Sequence, residues 1–228
     1  MGESKAHPIF NGFKKLISVF FKAPEVKTEG EDMNGGPYMY LANHVAASGP
    51  FKYELFFPCS FRPWGTHEMC GDYKERWNYL YHVFYIQKKG YSKFKAFIIS
   101  TLFAIISKLL YNGAELIPTY KDARLKKTIA LSLETLSEGK SLLIFPEDSN
   151  AGYKEVIEKF FGGFLVVAQR YNKLYGKDIP IRCVYFNKNK NVISVGAPVT
   201  LSEAVDVTGT DNKEVLADYF RQKTNALA

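Results

Sequence analysis

From residue 37 to residue 186, short apolar runs alternate with segments of helical period, and this alternation narrows the fold more than any other feature of the chain. Residues 37–42, 61–64, 115–118, 141–145 and 181–186 are apolar runs of strand length. Between them, residues 48–56, 94–110, 122–137 and 160–175 read as helices. The segment 122–137 is amphipathic, with Leu125, Ile129, Leu133 and Leu136 facing inward, and Glu138-Gly139 supplies its stop. Strands separated by helices predict an α/β fold: a mostly parallel sheet with helices on both faces. Residues 181–186 and 192–195 flank Asn187-Lys188-Asn189-Lys190-Asn191, the pattern of a hairpin, and residues 211–225 form a polar closing helix.

Ahead of this unit, Ile9, Phe10, Phe13, Leu16, Ile17, Phe20 and Phe21 recur at helical spacing, with the lysines off the stripe. A basic amphipathic helix of this kind either packs on its own domain or lies in a bilayer interface. The expectation is a peripheral membrane contact through Phe10, Phe13, Ile17, Phe20 and neighbouring lysines. Residues 23–36 turn polar and Gly-rich and read as a linker, which divides the chain into an amphipathic helix and linker (1–36) and an α/β domain (37–228). The apolar segment 94–110 is about three residues short of the roughly twenty that cross a bilayer. It carries Lys95, Ser100, Thr101, Ser107 and Lys108, so it reads as a core or monotopic helix. Lys14, Lys15 and Lys22 interrupt the N-terminal apolar stretch, which argues against a cleavable signal, and Ala6 stands where a myristoylation signal has Ser or Thr.

With a formal charge of +7, the chain suits an anionic partner. No nucleic-acid motif accompanies that charge and the lysines are spread along the chain, so no nucleic-acid partner is expected. Cys59, Cys70 and Cys183 have no metal-ligand spacing; they read as reduced thiols in a cytoplasmic setting, with Cys183 in a buried strand.

Open α/β sheets build their sites just past the carboxyl ends of strands. Asn43-His44 follows the run 37–42, and Phe145-Pro146-Glu147-Asp148-Ser149-Asn150 follows the run 141–144. A histidine at such a place is suited to take a proton from a hydroxyl near neutral pH. His67 and His82 sit among aromatics with no carboxylate at useful spacing, and read as structural.

In order, the chain holds Asn43-His44, then Ile117-Pro118-Thr119-Tyr120-Lys121, then Leu136-Ser137-Glu138-Gly139-Lys140-Ser141, Phe145-Pro146-Glu147 and Ile179-Pro180-Ile181. This resembles the glycerolipid acyltransferase family, which acylates glycerol 3-phosphate and lysophosphatidate. The resemblance spans roughly residues 37 to 200. It implies direct acyl transfer without a metal: a His takes the proton of the acceptor hydroxyl, which attacks an acyl thioester. An Asp five positions later orients the imidazole, and Arg residues of two later motifs bind the acceptor's phosphate.

Carried over by position, His44 matches the general base and Lys121 the first Arg, while the Asp position is Gly49. Phe145, Pro146 and Glu147 match; Asp148, Ser149 and Asn150 stand where the family has Gly, Thr and Arg. A carboxylate is thus missing at 49 and present at 148. The resemblance then implies His44 and Asp148 as catalytic residues, with Glu54, Glu68 or a neutral bond from Ser48 as other ways to orient the ring. It implies Asn43, Lys121, Glu147, Ser149 and Asn150 as substrate-binding residues. On this reading Gly49→Asp partly rescues the loss of Asp148. No cofactor is implied beyond acyl-CoA or acyl carrier protein as co-substrate. The partners are an acyl thioester donor, a glycerolipid acceptor and the cytoplasmic face of a membrane. The other reading is an inactive or altered relative that binds lipid or an acyl carrier at the membrane surface, for which Gly49, Asp148 and Asn150 speak.

Overall fold

The computed structural model describes residues 8–30, 33, 35–45, 48–120, 122–148 and 154–228. In chain order the elements are α1 (Pro8–Ser18), β1 (Glu25–Thr28), β2 (Met39–Ala42), α2 (Ser48–Phe56), β3 (Phe61–Thr66), α3 (Tyr73–Asn78), α4 (Lys93–Gly113), β4 (Ile117–Thr119), α5 (Leu125–Ser137), β5 (Ser141–Ile144), α6 (Gly163–Tyr175), β6 (Ile181–Asn187), β7 (Val192–Val195), α7 (Leu201–Thr208) and α8 (Lys213–Asn225). A short 3-10 turn (His67–Cys70) precedes α3, and a π-helix (Tyr79–Lys88) follows it.

The strands lie in the order β1-β7-β6-β2-β5-β3-β4, parallel throughout except for the β6–β7 hairpin. Every residue of β2 and β5 is buried, which is why both read as continuous apolar runs rather than alternating ones. On one face Met39, Leu41, Leu142 and Ile144 meet α5, α6, α7 and α8 through Ile129, Phe164, Ala204 and Phe220. On the other, Tyr40, Ala42 and Leu143 meet Tyr53 and Phe57 from α2 and its end. The expected α/β fold with a mostly parallel sheet and helices on both faces is the one observed.

Three local expectations change. First, residues 23–36 are not simply a linker. Glu25–Thr28 is an edge strand on β7, and the buried Arg182 guanidinium donates to the Glu29 carbonyl at 3.2 Å. The strand is short and mostly exposed, so it carries no apolar alternation to read.

Second, α1 turns part of its stripe inward. Phe10 is 2% exposed and lies so close to Gly113 of α4 that a Cβ there would fall 2.2 Å from the ring. Lys14, expected off the stripe, is buried and its ammonium donates to Glu54 at 2.9 Å. Phe10, Phe13 and Ile17 are therefore directed into the protein, and only Phe20 of the four expected membrane contacts is well exposed, at 79%. The hydrophobic period located the stripe; α4 covers Phe10, while Ile9, Leu16, Phe20 and Phe21 stay exposed.

Third, residues 201–208, for which no element is expected above, form α7, with a reciprocal capping box between Thr200 and Glu203 at its start. That Thr-x-x-Glu spacing is a sequence-level helix signal.

Candidate functional site

β2 lies between β6 and β5, and the chain leaves its carboxyl end at Asn43-His44. Asn43 is buried, and its amide is engaged at both ends. Its Oδ1 accepts from the Tyr53 hydroxyl at 2.9 Å and from the Phe186 N–H at 2.7 Å, while its Nδ2 donates to the Phe186 carbonyl at 3.1 Å. Burial, then the nearby Glu147 carboxylate, holds the Tyr53 hydroxyl well above its ordinary pKa, so it stays a donor. Asn43 is therefore a brace between β2, α2 and β6. Both lone pairs of Oδ1 and one N–H of Nδ2 are thus taken up by the protein itself, which gives Asn43 a structural task beside the substrate contact expected of it.

His44 follows directly. Its backbone N–H donates to Glu147 Oε1 at 2.7 Å, and its ring meets Phe145 edge-on with centroids 5.0 Å apart. The next residue, Val45, has φ of 43°, a conformation that a β-branched residue rarely adopts. Strain of this kind persists where surrounding contacts impose it, and it marks functional loops more often than others.

The 145–148 loop is clamped from behind by residues 159–161. The Asp148 N–H donates to the Lys159 carbonyl at 3.0 Å and the Phe161 N–H to the Pro146 carbonyl at 2.7 Å. Glu147 is the hinge of the site. Burial pushes its carboxyl up to about 7, against the pull of the His44 N–H. The two loops singled out in the sequence thus meet, through a carboxylate-to-backbone bond at Glu147, with Asp148 the adjoining residue. Lys121, Ser149 and Asn150 lie outside the described residues, as does the side chain of Ser48.

Gly49 is where the resemblance places an aspartate. A Cβ at that position would sit 2.1 Å from the His44 carbonyl oxygen. The start of α2 closes on the His44 backbone, and the close approach requires a glycine. The rescue expected of Gly49→Asp is therefore sterically blocked in this backbone.

The other carboxylates considered as partners of the His44 ring are committed elsewhere. Glu54 pairs with Lys14, as described, and burial raises its pKa while Lys14 opposes the rise. Glu68 pairs with His67, whose Nδ1 is 3.2 Å from Glu68 Oε2, and accepts a hydrogen bond from the Thr66 hydroxyl. This corrects the reading of His67 as lacking a carboxylate. Its ring lies tilted against Tyr120 with centroids 4.8 Å apart, and the Arg124 guanidinium lies 4.5 Å over the same Tyr120 ring. His67 follows β3 as His44 follows β2, and Tyr120 follows β4, so all three stand on the carboxyl edge of one sheet. The shared relation to a preceding strand was the signal that could have found His67.

An apolar cavity of about 530 Å³ opens beneath this edge. His44, Phe145 and Thr66 line it at the carboxyl ends of the strands, while Leu116 and Ala114 line it just before β4 begins. Because β2, β5, β3 and β4 run parallel, the cavity extends along the strands from the histidine toward their amino ends. Phe13 and Ile17 of α1 and Phe103 of α4 complete its wall. A site of this size, mostly apolar with a few polar groups at one end, suits an amphiphile with a long apolar tail.

No protein-family model and no curated protein matches this chain. Among solved structures, it is similar to the crystal structure of the 1-acyl-sn-glycerophosphate (LPA) acyltransferase PlsC from Thermotoga maritima, with a TM-score of 0.50 and 12% identity. The match covers 95% of this chain and 76% of that one. The likeness is one of fold.

Proposed function

We propose that this protein is an acyltransferase that moves a fatty acyl group from an acyl thioester to a hydroxyl of a glycerolipid-type acceptor, with His44 as the general base. The observation that carries this reading is the apolar cavity with His44 in its wall at the carboxyl end of β2. An acyl chain lying in it brings its thioester carbonyl to the imidazole. His44 takes the proton of the acceptor hydroxyl as its oxygen bonds to the carbonyl carbon. The carbon–sulfur bond then breaks, and the proton passes to the departing thiolate. The products are an ester and a free thiol. Asp148, on the loop that meets His44 through Glu147, orients the imidazole; the resemblance assigns the acceptor to Lys121, Ser149 and Asn150. The fold-level likeness to an LPA acyltransferase supports the same class of donor and acceptor.

A second reading has its own support. Gly49 leaves no room for the carboxylate that the resemblance places there, which favours a relative that binds an acyl carrier or lipid without transfer.

Acyl-CoA or acyl carrier protein, offered with lysophospholipids or glycerol 3-phosphate, separates the two. Stoichiometric ester and thiol products establish the transferase. Saturable thioester binding with no ester from any acceptor establishes the binding protein instead.

A further inference from the structure

We propose that α4 lies flat in the surface of an anionic lipid bilayer, with its outward face buried among the acyl chains. This inference does not depend on the acyl-transfer reading. The helix is 21 residues long, about 31 Å at 1.5 Å per residue, and by length and composition alone it could cross a membrane. Its packing decides otherwise. Ala96, Ser100, Ala104 and Ser107 form a buried stripe of small residues that seats the helix against the rest of the protein along most of its length. The buried Arg76 guanidinium donates twice to the Ala104 carbonyl, and Trp77 Nε1 donates to Thr101 Oγ1 at 3.1 Å. A helix held this way along one side lies along the body of the protein and does not stand through a bilayer.

The opposite face is exposed and apolar. Phe94, Phe97, Ile98, Leu102, Ile105 and Leu109 recur at helical spacing, with Phe94 77% and Ile105 63% exposed. A contiguous face of this size on a soluble surface marks a partner.

Charge identifies that partner. No acidic residue occurs in α4, while Lys93, Lys95 and Lys108 are exposed beside the apolar face. The Lys95 ammonium sits 4.0 Å over the Tyr91 ring, an aromatic–cation pair at one end of the strip. Long lysine stems can lie along an apolar surface while their ammonium groups reach lipid phosphates. A second copy of the chain is the poorer fit, because a two-fold contact through this face would set lysines against lysines. The anionic surface of a cytoplasmic leaflet meets the same lysines favourably. Phe103 and Leu110 of the same helix line the cavity, so α4 borders the cavity as well as the exposed apolar face.

The full chain should float with vesicles of phosphatidylcholine and phosphatidylglycerol, and poorly with phosphatidylcholine alone. Replacing Leu102 and Ile105 together by glutamate should reduce flotation at least tenfold. Val207→Glu, an exposed change on α7, should leave it unchanged, with circular dichroism and melting preserved in both. Depth is read with Leu102→Trp and brominated lipids. An in-plane helix is quenched more by bromines near the carboxyl end of the acyl chains, a spanning one by bromines near the methyl end. Equal flotation of the double variant, stronger quenching near the methyl end, or dimerisation through this face without vesicle binding would each overturn the proposal.

Discussion

The His44 backbone N–H donates to Glu147 Oε1 at 2.7 Å, and this bond ties the loop after β2 to the loop after β5. Replacing the carboxylate by an amide keeps the acceptor, whereas removing it leaves a half-buried N–H without one. Glu147→Gln should therefore fold with near-native stability, and Glu147→Ala should lose about 1–3 kcal/mol. Urea unfolding of the two variants checks the difference.

The same carboxyl predicts a pH dependence. Its folded pKa of about 7 lies above the ordinary 4.5, so between those values the folded state holds a proton that the unfolded state has released. The associated stability is present in full below about pH 4.5 and is lost as pH rises through about 7, a change on the order of 3 kcal/mol. Glu147→Gln should flatten this part of the profile, which urea midpoints at about pH 5 and about pH 8 would reveal.

Asn43 should behave as a brace. Asn43→Ala strands the Phe186 N–H and carbonyl and the Tyr53 hydroxyl in the interior, and should cost at least about 2 kcal/mol. Tyr53→Phe removes one partner only and should cost about 1 kcal/mol. Thermal melts of both variants test the order; a silent Asn43→Ala would contradict the bracing role.

Gly49 should tolerate no side chain. Gly49→Ala and Gly49→Asp both drive a Cβ onto the His44 carbonyl and should destabilise by roughly 2 kcal/mol or more. Gly49→Asp should not restore activity to an Asp148→Asn variant. A rescued double variant would show that the loop opens to admit the carboxylate.

Filling the cavity at the end away from His44 should shorten the preferred acyl chain. Ala114→Phe occupies the wall just before β4, so rates with long-chain thioesters should fall relative to short-chain ones. A uniform fall across chain lengths would place the chain elsewhere.

The sheet was legible in the sequence because its central strands are buried on both faces and therefore carry unbroken apolar runs; β2 and β5 are the clearest cases. β1 was not, since an exposed four-residue edge strand has no period to detect. The meeting of His44 with the Phe145-Pro146-Glu147 loop was legible from strand ends and spacing. What was hidden is where individual polar groups point. Asn43 and Glu147 are adjacent to the histidine by sequence or sheet order, yet Asn43 bonds the backbone of residue 186 and the Tyr53 hydroxyl, and Glu147 the backbone of residue 44. Lys14 looked like a solvated flank of α1 because its partner, Glu54, is forty residues away in sequence.

Acyl transfer by His44→Ala, measured as ester and thiol formed from an acyl thioester and a lysophospholipid, tests the central claim most directly. The account predicts transfer by the native chain and a loss of about a hundredfold or more in the variant. Asp148→Asn should fall nearly as far, and the two changes together should cost little more than either, because residues that act as a unit are not additive. Transfer by His44→Ala at the native rate would contradict the assignment of the site.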